Sequence, residues 1–151
     1  MIKIPMDMVD MTNNEFKDNL LLAQWQTCVE MANSISQRRD TMNNIFITLN
    51  LTLMTAISIV WDIKSIFILV AGIIVCILWI FFIRNYKLLN TTKFEVINDI
   101  EKRLPCQPFS SEWDKLRRNN KYRDGTTLEG LLPVMFILLY FIAAVIVLAS
   151  I

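Results

Sequence analysis

The sequence predicts an all-α integral membrane protein with three spanning helices per chain and cytoplasmic amphipathic helices, built as a homo-oligomeric bundle. Asn43 to Ile83 runs with only two charges, Asp62 and Lys64, both near its centre. A second apolar run, Leu131 to Ile151, carries no charge at all. Apolar residues make up 54% of the chain and charged ones 19%, a balance foreign to a water-soluble domain of this length.

Taken in chain order, residues 1–42 read as a cytoplasmic N-terminal helix. No Pro or Gly occurs between Pro5 and Gly72, and Phe16, Leu20, Ala23, Thr27 or Cys28, Met31 and Ile35 recur at the spacing of one helix face. Asn13 or Asn14 can cap its start, with Glu15 and Asp18 in the first turn. The helix is expected to run unbroken into the first span, as one rod over 14–61.

As a single helix, Asn43 to Ile83 would be about 60 Å long, twice the roughly 30 Å of hydrocarbon in a bilayer. It must fold back, and Trp61-Asp62-Ile63-Lys64-Ser65 is the one place for a polar turn. The hairpin 43–83 thus divides into spans 43–61 and 66–83, with Trp61, Trp79 and Tyr86 as interfacial anchors. Segment 84–130 returns to the cytoplasm. Its first part, Arg84 to Leu104, shows an amphipathic pattern through Tyr86, Leu89, Phe94, Ile97, Ile100 and Leu104 that Pro105 stops. Cys106-Gln107-Pro108-Phe109 reads as an extended link. Ser110 or Ser111 then caps a short helix from Glu112 to Arg118, and Asn119-Asn120 and Asp124-Gly125-Thr126 read as turns into the third span, 131–151.

Charge placement sets the topology. Residues 1–42 and 84–130 hold all the Lys and Arg except Lys64, so both segments face the cytoplasm and the C-terminus lies outside. The N-terminus lacks the basic-then-apolar pattern of a cleaved secretory signal, and the first span is expected to serve for insertion. Cys28, Cys76 and Cys106 are far apart and read as small apolar fillers rather than a disulfide frame or metal knuckle. The apolar stripes of the cytoplasmic helices need covering in water, and too little chain is present to do it. Neighbouring copies are the economical cover.

Few residues invite catalysis. The chain has no His and only three Gly, with no phosphate loop, nucleophile elbow or paired-Cys motif, so neither an enzyme nor a cofactor is expected. Asp99, Glu101, Glu112 and Asp114 sit in Lys- and Arg-rich stretches and read as solvated ion pairs. The first span stands apart because Asn44, Thr48, Thr52, Thr55, Ser58 and Asp62 fall within about 120° on a helical wheel. Polar groups at membrane depth avoid lipid, so this stripe is expected to point inward. Either its hydroxyls bond their own helix and make packing contacts, or several copies line a hydrated path with them. Asn43 and Asn50, one heptad apart on another face, suit interhelix hydrogen bonds. Arg38-Arg39 and the cluster Lys115, Arg117, Arg118, Lys121 and Arg123 suit lipid headgroups, or more sharply an anionic or nucleotide ligand.

Several motifs also resemble a known family. Glu30-Met31-Ala32-Asn33-Ser34-Ile35-Ser36-Gln37-Arg38-Arg39 with Phe46 and Leu49-Asn50, then Tyr86-Lys87-Leu88-Leu89-Asn90, Lys93-Phe94, Val96-Ile97, Glu101, Leu104-Pro105, Pro108-Phe109 and Glu112-Trp113, resemble the RipA family of octameric bacterial membrane proteins over about residues 20–145. The resemblance implies an all-helical inner-membrane octamer, from a group linked to bacterial growth inside host cells. It also implies that Arg38, Arg39, Lys93, Glu101, Glu112 and Trp113 serve the cytoplasmic assembly. In architecture the layout is similar to small SLATT-type membrane effectors, which implies membrane permeabilisation. The expected function is a regulated pore or membrane-permeabilising assembly, with Asn50 and the motif residues at oligomer or partner contacts. The competing expectation is a non-conducting scaffold whose cytoplasmic helices recruit partners. The expected partners are other copies, membrane lipid and a cytoplasmic protein or nucleotide signal, and not nucleic acid.

Overall fold

The computed structural model describes residues 6–59, 62, 64–119 and 125–149, with side chains from Glu15 onward. They form four helices in the order α1 (Met6–Ile59), α2 (Ser65–Glu101), α3 (Pro108–Arg118) and α4 (Gly125–Ala149), and no strand occurs among the described residues. Among them, α1, α2 and α4 are long and apolar enough to cross a membrane. Trp61, Lys121, Arg123, Asn120, Asp124 and the side chains of Asn13 and Asn14 lie outside the described residues.

The expected second span and the amphipathic segment after it run as one helix, because nothing between Ser65 and Glu101 breaks it. Several helix ends differ from the sequence-based expectation, each for a local reason. Helix α2 ends three residues before Leu104. Arg103 N–H and Leu104 N–H turn to the carbonyls of Ile100 and Glu101, both at 3.0 Å, which tightens the last turn ahead of Pro105. Pro108 and Phe109 are helical rather than extended, since Pro at the start of a helix gives up only an N–H that has no partner there anyway. The α4 helix begins at Gly125, so Gly125 and Thr126 are not a turn.

The chain packs as two compact units, residues 1–35 with 90–122 and residues 36–89 with 123–151. In the first, Phe109 sits between Trp25 (5.8 Å between ring centroids) and Phe94 (5.7 Å, edge-on), and Ala32 and Ile97 are buried. In the second, Ile57, Leu69, Cys76, Tyr140 and Ala143 form one buried cluster, and Phe46, Trp79 and Ile83 form another. The Phe46 and Trp79 rings stack at 5.6 Å and 7°. Gly72 is needed here: a Cβ at this position would lie 2.6 Å from Tyr140 Cε1, so only a residue without a side chain lets the ring approach the α2 backbone.

The link between α1 and α2 turns on Asp62. Its carboxylate accepts the Lys64 N–H at 2.7 Å, and its carbonyl accepts the Ser65 N–H at 3.0 Å and the Ser65 hydroxyl at 2.7 Å. A short polar side chain bonding the backbone two residues on is what closes such a turn.

Candidate functional site

Along residues 43–59, two faces of α1 carry the polar side chains. One packs inward. Asn43, Phe46, Asn50, Leu53 and Ile57 alternate at spacings of three and four, and Asn50 is fully buried. Its Oδ1 receives the Tyr140 hydroxyl at 2.9 Å and the Cys76 thiol at 3.2 Å, while its Nδ2 donates to the Phe46 carbonyl at 2.8 Å. One amide thereby ties α1 to α2 and α4. One heptad earlier, Asn43 Oδ1 accepts the Trp79 indole N–H at 2.9 Å. Trp79 is therefore not an interfacial anchor: it is buried among Phe46, Asn43 and Phe136, where a large ring with one satisfied donor belongs. Tyr86 is half-buried and stacks on Phe82.

The other face is the hydroxyl stripe, which points away from the chain's own helices. Asn44, Thr48, Thr52, Thr55, Ser58 and Asp62 are all exposed in the single chain. The stripe lies about 160° around α1 from the packed face at 100° per residue. Thr48, Thr52, Thr55 and Ser58 donate to the carbonyls of Asn44, Thr48, Leu51 and Met54 at 2.8 to 3.0 Å. Thr41, Asn44, Ile45, Thr48, Leu49 and Thr52 line a shallow open groove along it.

In the other compact unit, Phe16, Leu20 and Ala23 of α1 are exposed as well. Thus α1 shows apolar side chains in the segment read as cytoplasmic and hydroxyls in the segment read as spanning. Each set is mismatched to the solvent expected of its segment.

The remaining motif residues separate. Arg38 is exposed, whereas Arg39 makes a two-pronged ion pair with Glu129 of α4, Nε to Oε2 at 2.7 Å, and its Nη2 also reaches Thr126 at 3.4 Å. Lys93 Nζ lies 3.9 Å from Met31 Sδ. Glu101, expected in a solvated ion pair, is fully buried and accepts the N–H groups of Phe109 and Ser110 at 3.1 and 3.2 Å and the Ser110 hydroxyl at 3.3 Å. It caps α3 from a distance, replacing the serine cap the sequence suggested. A carboxylate there meets free donors and the positive end of the helix dipole. Asp99 does form an exposed ion pair with Lys102, at 2.6 Å. Glu112 is exposed, and Trp113 lies under the Arg117 guanidinium at 5.6 Å.

Sequence reasoning missed Glu129 and Tyr140 and undervalued Cys76. Cys76 is a buried thiol donor rather than filler, and Cys106 is exposed. Among the described residues no group of three or more His, Cys, Asp or Glu could hold a metal ion. What the site offers is a row of oxygen atoms along a membrane-length helix, suited to hydration, to ions or to another helix.

A family model, that of the Octameric membrane protein family, matches residues 22–149. Comparison with curated proteins and with solved structures returned no match.

Proposed function

The chain belongs to the octameric membrane protein family, and from that premise we propose that eight copies gather around an axis with α1 innermost, making a regulated ion-permeable assembly. The observation that carries this reading is the exposed hydroxyl stripe of α1. Turned into a ring, its hydroxyls from Thr48 to Ser58 meet water instead of lipid, and the exposed apolar side chains Phe16, Leu20 and Ala23 of the other unit are covered by neighbouring copies. Neither set is satisfied in an isolated chain. The assembly is non-enzymatic and sits in the bacterial inner membrane, with the N-terminus and residues 84–130 on the cytoplasmic side.

A second reading has one observation in its favour. The stripe hydroxyls already bond their own helix, so they can make a dry packing seam, and the protein is then a non-conducting scaffold whose cytoplasmic helices recruit partners. Ion flux from liposomes separates the two. The pore reading expects flux from the wild type and its loss in the triple variant Thr48→Val, Thr52→Val, Thr55→Val, with the oligomer intact. Absent wild-type flux, or flux unchanged in an intact triple variant, refutes it.

A further inference from the structure

We infer that the path lined by α1 passes cations and rejects anions, which rests on the pore reading above. A serine or threonine hydroxyl has one proton to donate and two lone pairs to offer. In Thr48, Thr52, Thr55 and Ser58 that proton is committed to the carbonyl four residues back, at 2.8 to 3.0 Å, because a carbonyl can only accept. Their outward side therefore presents lone pairs alone. The helix backbone adds no donor, since its N–H groups point along the axis into the helix's own bonds.

Such a wall treats the two signs of ion differently. A cation entering needs oxygen lone pairs to replace its water, and an anion needs N–H or O–H groups, which the four hydroxyls have already spent; Asn44 keeps its amide N–H groups one turn before the row begins. Repeated around a ring, the hydroxyls make acceptor-only belts at successive turns, about 5 Å apart along the axis. Asp62 ends the stripe with an exposed carboxylate, and exposed Lys64 two residues on sets a positive charge near it at the same mouth, so the preference rests on the hydroxyl wall. Arg38 and Lys64, both exposed, lie beyond the two ends of the hydroxyl row and place no charge within it.

The test is the reversal potential of the purified protein in a planar bilayer under a tenfold potassium chloride gradient. The expected value has the sign of the potassium equilibrium potential. A value at zero, or on the chloride side, overturns the inference while leaving the path itself standing. Asp62→Asn is expected to keep the sign, because the wall oxygens remain. Loss of the preference in that variant would assign selection to the carboxylate ring and overturn the acceptor wall. Thr52→Ser, which keeps both the proton and the lone pairs, is expected to behave as wild type, and loss of the preference there would also count against the wall. Absence of any current from the wild type overturns the pore reading and this inference with it.

Discussion

Tyr140→Phe removes one hydroxyl and little else, which makes it a clean probe of the junction at Asn50. Tyr140 is fully buried, and its hydroxyl lies 2.9 Å from Asn50 Oδ1 and 3.3 Å from the Asn50 carbonyl. Hydrogen bonds between membrane helices average about 0.6 kcal/mol and reach about 1.7. Asn50 Oδ1 keeps the Cys76 thiol and Nδ2 keeps the Phe46 carbonyl, so the amide is not stranded. The loss should be about 1 kcal/mol, or roughly fivefold in the folding equilibrium. Asn50→Leu should cost about 1–2 kcal/mol, because it takes the amide acceptor from both Tyr140 and Cys76 and leaves Tyr140 only the longer contact to the residue 50 carbonyl. With both changes together the shared bond is counted once, so the double variant should fall short of the sum by about 1 kcal/mol, above the roughly 0.3–0.5 kcal/mol scatter of independent sites. Unfolding of all four proteins by sodium dodecyl sulfate in mixed micelles, followed by tryptophan fluorescence, gives the cycle. Strict additivity would mean that the hydroxyl and the amide do not meet in the folded protein.

Two further outcomes follow from the same unit. Gly72→Ala should destabilise by about 1–3 kcal/mol through overlap with the Tyr140 ring, less up to about 1 kcal/mol of helix propensity, and Tyr140→Leu in the same chain should restore most of the loss. A rescue that fails would show that the ring is not the obstacle. Glu129→Gln should cost about 1–2 kcal/mol, since the paired side chains are only 16% and 25% exposed, and Arg39→Lys should not replace the two-pronged contact. If Arg38→Ala, at an exposed neighbour, costs as much in the same unfolding assay, the pair has no special role.

Much of this architecture is legible from residue type alone because hydropathy and charge act over long stretches. The three spans and the turn at Asp62 follow from run length and the lack of another polar break. Asn43 and Asn50 stand out because an amide at membrane depth needs a partner. Their partners do not stand out: Cys76, Trp79 and Tyr140 blend into apolar runs, and which of them reaches α1 depends on helix rotation. Glu101 is opaque for a related reason. Its neighbours in sequence are charged, and only the fold shows that it faces the first turn of α3 rather than Lys102 or Arg103. The hydroxyl stripe was visible by spacing, but its opposition to the packed face required knowing where α2 and α4 lie.

The seat of the Tyr140 ring on Gly72 links the mutational histories of two positions far apart in the chain. Once an aromatic ring occupies that niche, codon 72 has almost no freedom to drift, and any lineage that acquires a methyl there must first, or at the same time, shrink residue 140. A shrunken residue 140 would in turn release Asn50 from its main phenolic partner. Loss of one contact would therefore loosen selection on the other, and glycine, tyrosine and asparagine should be inherited together or abandoned together.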